Sequence, residues 1–193
     1  ANMARQDNDR AGAMESYRHI IEQDPPGLIT FYGRQARLGL AHLEIQEKRL
    51  DEAQATLAPL FKLYPNDPMA NYLGGLLAFV QGDDELAEQR SRKVLKIARE
   101  DAATQLLFGV ISYAQQDYEQ AVYYLTRYIS EESDNLGVRK LLGRSYLKLG
   151  QHGEAQATLQ AALDEGAEDS ELIALVGLSR LHAGDTVAGI DKL

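Results

Sequence analysis

The sequence predicts an all-α chain built as a row of antiparallel helix pairs. Three observations carry this. First, small residues recur at one spacing. Gly75, Gly109, Gly143 and Gly177 follow one another at steps of 34, and twelve places after each comes Ala87, Ala121, Ala155 and Gly189. The same twelve-residue pair appears earlier as Ala41 and Ala53, and as Ala1 and Ala13. Second, large apolar residues keep step: Leu57, Leu125, Leu159 and Leu193, with Ser91 out of pattern, and Phe61, Leu95, Ile129 and Leu163. Third, the halves of each repeat are separated by polar breaks, at Gln81-Gly82-Asp83-Asp84, Gln116-Asp117, Gly150-Gln151 and Gly184-Asp185. A period of this length marks supersecondary units that bury their flanks on one another.

Taken in order, helices near 1–6 and 10–23 make a truncated first repeat, 1–25. The step from Ala13 to Ala53 is 40 rather than 34, so six residues enter near Pro25-Pro26-Gly27. They lengthen either the loop or the helix starting near Leu28. Helices near 29–46 and 50–63 fill the repeat 28–67. Pro59 lies inside the second, where a missing N–H should remove a hydrogen bond and bend the helix. Helices near 68–81 and 84–98 fill 68–101, those near 102–115 and 118–131 fill 102–135, and those near 136–149 and 152–164 fill 136–169. Helices near 170–183 and 186–193 make a truncated last repeat, 170–193. No strands are expected, and 1–193 reads as a single solenoid.

The glycines have a packing reason in this scheme. A mid-helix glycine costs roughly 1 kcal/mol relative to alanine. Small residues let paired helices approach, while the large apolar residues fill the space beside them. Ala41, Gly75, Gly109, Gly143 and Gly177 on first helices, and Ala53, Ala87, Ala121 and Ala155 on second helices, are the structural small residues.

Composition sets further bounds. The chain has 193 residues, 45% hydrophobic and 25% charged, enough for an ordinary core. A net charge of −9 argues against a general nucleic-acid binder, which needs a basic face. With no cysteine, disulfides and thiolate metal sites are excluded. No apolar run reaches the length of a membrane span. Neither a signal peptide nor a lipid-attachment cysteine is present, so either the mature protein lacks them or the chain is a fragment.

A 34-residue helix–turn–helix period with this small and large pattern resembles the tetratricopeptide repeat (TPR) over essentially the whole chain. "LLGRSYLKLGQHGEAQATLQAAL", 141–163, matches best, with Leu142-Gly143, Tyr146, Gly150, Ala155, Leu159 and Ala162 in place. The closing proline survives at Pro25 and Pro65 but becomes Arg99, Ser133 and Ala167. The resemblance implies a right-handed superhelix whose concave face is lined by the first helix of each repeat. "ARLGLAHLEIQEKRLDEAQATL", "NDPMANYLGGLLAFVQGD" and "GLSRLHAGDT" are similar to segments of PrsT-type TPR lipoproteins of bacterial exosortase (PEP-CTERM) systems. That resemblance implies a piece of a longer array in the cell envelope. It would face the periplasm through a lipid anchor outside this fragment, and be linked to protein sorting and exopolysaccharide export. Ala1 and Leu193 both fall mid-helix in the repeat, so excision from a longer array is expected. The uncapped ends would then expose apolar helix faces able to associate end to end.

Function is read from the surface rather than the fold. On the repeat-derived geometry, outward places include Met69, Tyr72, Leu73, Leu76, Phe79 and Val80, then Leu106, Leu107, Val110 and Tyr113: an apolar floor. Two readings stand. Either these residues are core between repeats, or they line a groove for a protein or peptide segment. Next come Lys140, Arg144 and Lys148, spaced by four and so stacked on one face. They are either a solvated face paired with Glu131, Glu132 or Asp134, or an anion contact for a partner carboxylate or an acidic polysaccharide. Gln35, His42 and Gln46 take such places in the repeat 28–67. The lysine/asparagine/arginine set by which some chaperone adaptors hold a C-terminal carboxylate is not reproduced.

Catalysis finds little to stand on. His19, His42, His152 and His182 lie in different repeats, with no pair at ligand spacing on one helix. No catalytic residues, metal or cofactor are expected, and neither nucleic acid nor a membrane span. The sequence therefore points to a non-catalytic interaction scaffold. A spacer array without a ligand groove, and a cytoplasmic TPR adaptor, are the alternatives.

Overall fold

The computed structural model describes residues 2–131 and 135–182. Ten α-helices and no strand occur among them: α1 (Asn2–Glu22), α2 (Phe31–Gln46), α3 (Leu50–Leu63), α4 (Pro68–Gln81), α5 (Asp84–Ile97), α6 (Ala102–Ala114), α7 (Tyr118–Glu131), α8 (Leu136–Lys148), α9 (His152–Asp164) and α10 (Ser170–His182). The chain divides into two compact units between Arg99 and Glu100.

The helix ends repeat as faithfully as the core. Asp67, Asp101, Asn135 and Asp169, 34 residues apart, each accept a hydrogen bond from the backbone N–H three places on, at the start of α4, α6, α8 and α10. Lys48, Gly82, Gln116 and Gly150, again 34 apart, take the left-handed conformation between the two helices of a pair. After each, the next N–H bonds back to a carbonyl five residues earlier: Arg49 to Glu44, Asp83 to Ala78, Asp117 to Ser112 and Gln151 to Tyr146, at 2.8–2.9 Å. This closes the last turn of the first helix and reverses the chain.

One expected break is absent. The helices foreseen at 1–6 and 10–23 are one continuous helix, α1. Its segment Gln6-Asp7-Asn8-Asp9 contains neither glycine nor proline, and continuing the helix satisfies those backbone groups internally. The expected helix at 186–193, the Gly184-Asp185 turn, Ala1, Gly189 and Leu193 lie outside the described residues.

The six extra residues go to both places considered. Thr30 caps α2 through Gly33 N–H, three places before the periodic position, so the helix gains most of a turn. The remainder forms a loop. There Leu28 N–H bonds to Pro25 O at 3.0 Å with Gly27 at φ 76°, a turn that needs a left-handed third residue.

Ala41, Ala53, Ala87, Ala121 and Ala155 are all fully buried, and Gly75, Gly109, Gly143 and Gly177 are buried in their helices. Gly109 and Gly143 do more than bring backbones together, because each makes room for a particular side chain. A Cβ on Gly109 would stand 2.8 Å from Leu125, and one on Gly143 2.6 Å from Leu159. Gly74 accommodates Phe61 and Arg90, whose guanidinium lies 3.6 Å from the Phe61 ring centre. That stack accounts for Gly74, the extra glycine beside the periodic Gly75, and Arg90 stands next to Ser91, the residue out of pattern. Pro59 sits within α3, which runs on unbroken to Leu63.

In the first unit the core gathers α2, α3 and α4 around Leu38, Leu57, Leu60 and Leu73. In the second, one cluster centres on Leu125 and Leu142 and another on Leu159, Leu172 and Val176. Leu73 and Leu107, expected to face outward, are core residues, 1% and 6% exposed. Leu73 packs among α2 and α3 residues such as Leu38, Leu57 and Leu60, and a period of 3.6 puts a residue next to an outward one only 100° away.

Candidate functional site

The first helices form a layer. Within the first unit α2 touches α4, and within the second α6 touches α8 and α8 touches α10. Among the described residues the second helices α1 and α3, α3 and α5, and α7 and α9 make no such contact with one another. Closer spacing on one side than the other bends a stack, so within each unit the first helices lie on the inner side.

Of the expected partner-binding residues, Tyr72, Leu76 and Phe79 stand on α4 in the first unit, all half-buried. Tyr72 and Leu76 pack against the core there. Leu106, Val110 and Tyr113 stand on α6 in the second unit, also half-buried. Leu106 and Tyr113 lean on the core between α7 and α8, and Tyr113 meets Tyr118 edge to face at 5.5 Å. These residues therefore divide their surface between core and solvent. Met69 and Val80 are exposed.

The basic residues have different neighbours from those expected. Lys140 Nζ donates to Asp169 at 3.1 Å and to Glu171 at 2.7 Å, and Arg144 also pairs with Glu171. The carboxylates come from the start of the next first helix, α10, and not from Glu131. Glu132 and Asp134 lie outside the described residues. The reason is the layer itself: α8 lies directly against α10, whose N-terminal cap and first turn are acidic. Asp169 is held below the usual carboxylate range by the Leu172 N–H and then by Lys140. Lys148 is exposed at the end of α8. On α2, His42 and Gln46 are exposed and hydrogen-bonded to each other at 2.9 Å.

Sequence reasoning missed two groupings. His152 and His182 stack at 5.0 Å between ring centres, from the start of α9 and the end of α10. Among the described residues no three His, Asp or Glu side chains gather as a metal site would require. The second grouping surrounds the insertion. Leu28, Phe31 and Tyr32 are 64%, 68% and 73% exposed, and Leu63 and Tyr64 are exposed beside them in the fold. Tyr64 Oη donates to Ile29 O at 3.3 Å, tying α3 to the loop. Asp24 anchors that loop: it accepts from Thr30 N–H and Oγ1, and pairs with half-buried Arg37. Burial pushes the Asp24 carboxyl up, but the bonds from Thr30 and Arg37 outweigh it and hold the group below its ordinary value. Asp67 is similar. Burial raises it, while Arg34 Nε at 2.5 Å and the Ala70 N–H bring it down on balance. Glu44, buried near Arg18, goes the other way: burial raises it further than the Thr56 hydroxyl at 2.8 Å lowers it. No helix among the described residues is long and apolar enough to cross a membrane.

A tetratricopeptide-repeat profile matches residues 4–77 and 112–178, well over half of the chain. The chain belongs to the TPR family. Solved structures agree on the fold. YrrB, a TPR protein with an unusual peptide-binding site, is 16% identical, with a TM-score of 0.79 over 93% of this chain and 89% of that one. PilW, a widely conserved type IV pilus biogenesis factor, is 19% identical, with a TM-score of 0.77 over 97% and 84%. MamA from Desulfovibrio magneticus RS-1 is 19% identical, with a TM-score of 0.73 over 82% and 89%. No curated protein sequence is significantly similar to this TPR chain.

Proposed function

We propose that this TPR chain is a non-catalytic scaffold that binds a protein or peptide segment on its first-helix faces. The observation that carries the reading is the layer of first helices in the second unit. It keeps Leu106, Val110 and Tyr113 only half-covered beside the charged set Lys140, Arg144, Asp169 and Glu171. Half-buried apolar side chains next to charges held in fixed geometry suit a segment with an apolar residue flanked by a polar one. That YrrB, alike in fold, has a peptide-binding site supports the same use of the scaffold. An acidic polysaccharide fits less well, since it would have to displace the carboxylates already on Lys140 and Arg144.

We further propose an envelope location, facing the periplasm as part of a longer lipid-anchored array linked to protein sorting and exopolysaccharide export. The sequence resemblance to PEP-CTERM-system lipoproteins supports it. The test has two arms. The immobilised chain and its Val110→Glu/Lys148→Glu variant are exposed to an envelope extract, and retained proteins are identified by mass spectrometry. Partners retained by the wild type and lost from the variant are the expected result. Identical retention assigns the chain to the spacer reading. Protease digestion of a tagged full-length protein in spheroplasts checks location: cleavage is expected, and protection would place it in the cytoplasm.

A further inference from the structure

We infer that the groove between the second helices α3 and α5 binds an acidic segment of a partner protein, with one carboxylate on the Arg90 guanidinium and the next on Lys93. This site lies apart from the first-helix faces and does not depend on them. The groove exists because α3 and α5 both pack on α4 and not on each other. Arg90 reaches across it from α5. Its guanidinium carbon lies 3.6 Å from the centre of the Phe61 ring on α3, and Nη1 donates to Asn71 Oδ1 on α4 at 3.2 Å.

Arg90 is held in place without a counter-ion. The other partly buried arginines of the first unit, Arg34, Arg37 and Arg49, pair with Asp67, Asp24 and Glu52. Arg90 pairs with no carboxylate among the described residues. Its Nε and Nη2 donate to nothing there, and neither is sealed from solvent. Burial pushes the guanidinium below its ordinary value, and no neighbouring charge opposes that shift.

The neighbouring repeat shows that the place can be filled without a charge. Phe108 and Tyr124 stand 34 residues after Gly74 and Arg90, and their rings pack 4.6 Å apart. The repeat 68–101 has instead a mid-helix glycine, which costs helix stability. A Cβ there would stand 2.8 Å from Arg90 Cδ and 3.1 Å from Nε, so the glycine houses the arginine. A half-buried cation without a partner is a further cost. Stability gives no reason for this exchange, whereas an anion supplied from outside does.

Charge around the site selects the anion. From 90 to 99 the chain has five basic residues and no acidic one, against a net charge of −9. Lys93 stands one turn after Arg90 on the same side of α5, and neither it nor Lys96 has an ion pair among the described residues. The nearby acids are placed elsewhere. Glu88 pairs with Arg92, Asp83 caps the Leu86 N–H, and Asp84 and Glu85 lie in the first turn of α5. On α3, Asp51 and Glu52 lie in the first turn and Phe61 in the last. Asp67, at the start of α4, is held by Arg34. Arg90, Lys93 and Lys96 are thus strung out at steps of about 4.5 Å along the helix. A row of singly charged carboxylates matches them, and a carboxylate fits a guanidinium fork, whereas a phosphate gathers nearly two charges on one point.

The experiment uses the whole chain and a fluorescein-labelled decapeptide of alternating glutamate and glycine. Twins carry glutamine or phosphoserine in place of glutamate. Anisotropy should show saturable binding of the glutamate peptide, about tenfold weaker for the glutamine twin. Arg90→Met keeps an unbranched side chain on Phe61 and removes the charge. It should weaken binding about tenfold while the urea midpoint holds or rises. Arg90→Lys keeps the charge, loses the fork and should also weaken binding, which decides the matter if Arg90→Met does not fold. Arg92→Gln takes a charge from the opposite side of the same helix and should leave the affinity nearly unchanged. No saturable binding, or unchanged affinity in the Arg90 variants, overturns the proposal. So does an equal loss in Arg92→Gln, which would mean diffuse attraction. Tighter binding of the phosphoserine twin that Arg90→Met abolishes overturns it too, because the anion would then be a phosphate.

Discussion

Gly143 and Leu159 fit together as socket and knob: the Leu159 side-chain carbons stand 2.6–2.8 Å from where a Cβ of residue 143 would be. Leu159 is fully buried, so it cannot swing into solvent. Gly109 and Leu125 repeat the arrangement one period earlier.

Gly143→Leu should therefore cost about 3 kcal/mol through overpacking, read as a lowered urea midpoint. Gly143→Ala should cost less. Adding Leu159→Ala to Gly143→Ala should recover part of the loss, since the cavity and the new methyl group offset each other, and a double-mutant cycle measures this. Additive effects would sever the proposed pairing.

The turns give a prediction of opposite sign. Lys48 and Gln116 are held at φ 59° and 64°, where Gly82 and Gly150 stand in the neighbouring repeats. A side chain costs roughly 1–2 kcal/mol in this conformation, partly offset by the greater unfolded-state freedom of glycine. Gln116→Gly should raise stability by about 0.5–1 kcal/mol, and Gly82→Ala should lower it by about 1 kcal/mol. Both are read by thermal unfolding, and a destabilised Gln116→Gly would show that the turn is held by something other than backbone conformation.

The fold was legible because a repeat states each rule several times. The turn at Gly82 is recognisable alone, and Gln116 becomes recognisable only because it stands 34 residues later. The same logic misled at Asp7-Asn8-Asp9, where the period expects a turn and α1 continues. The site was harder to read. Leu73 and Leu107 stand one place from outward positions, and a period alone cannot tell which edge of a helix its neighbour covers. The partners of Lys140 were sought nearby in sequence, at Glu131, whereas Asp169 and Glu171 lie a full repeat away and meet it through α8–α10 packing. The exposed grouping beside Leu28 arises where the period fails, and a reading built on the period had no rule for it.

Asp67 links two repeats, capping α4 through Ala70 N–H at 2.9 Å and holding Arg34 at 2.5 Å. Asp67→Ala should cost about 2 kcal/mol, combining a lost cap with a lost charge-assisted bond. Asp67→Asn keeps the cap and should cost less. The pH dependence follows from the lowered folded-state value of Asp67. Its stabilisation is present above the unfolded value near 3.9 and is lost as pH falls through the lower folded value. The difference between wild type and Asp67→Asn in urea midpoint should thus shrink as pH falls below about 4. Glu44 has the opposite sign. Burial raises its folded-state value, so stability falls as pH rises from near 4.3 through that raised value, a fall that Glu44→Gln should abolish.

Site-specific photo-crosslinking tests the proposed function most directly. A benzoylphenylalanine is placed in turn at Val110 on α6, at Lys148 on α8 and at exposed Tyr123 on α7, all within the second unit. After irradiation in an envelope extract, Val110 and Lys148 should form adducts with the same partner protein, and Tyr123, on the second helix of its pair, should not. Adducts with that partner from Tyr123 alone, or no adduct from either first-helix position, would contradict a partner-binding first-helix face.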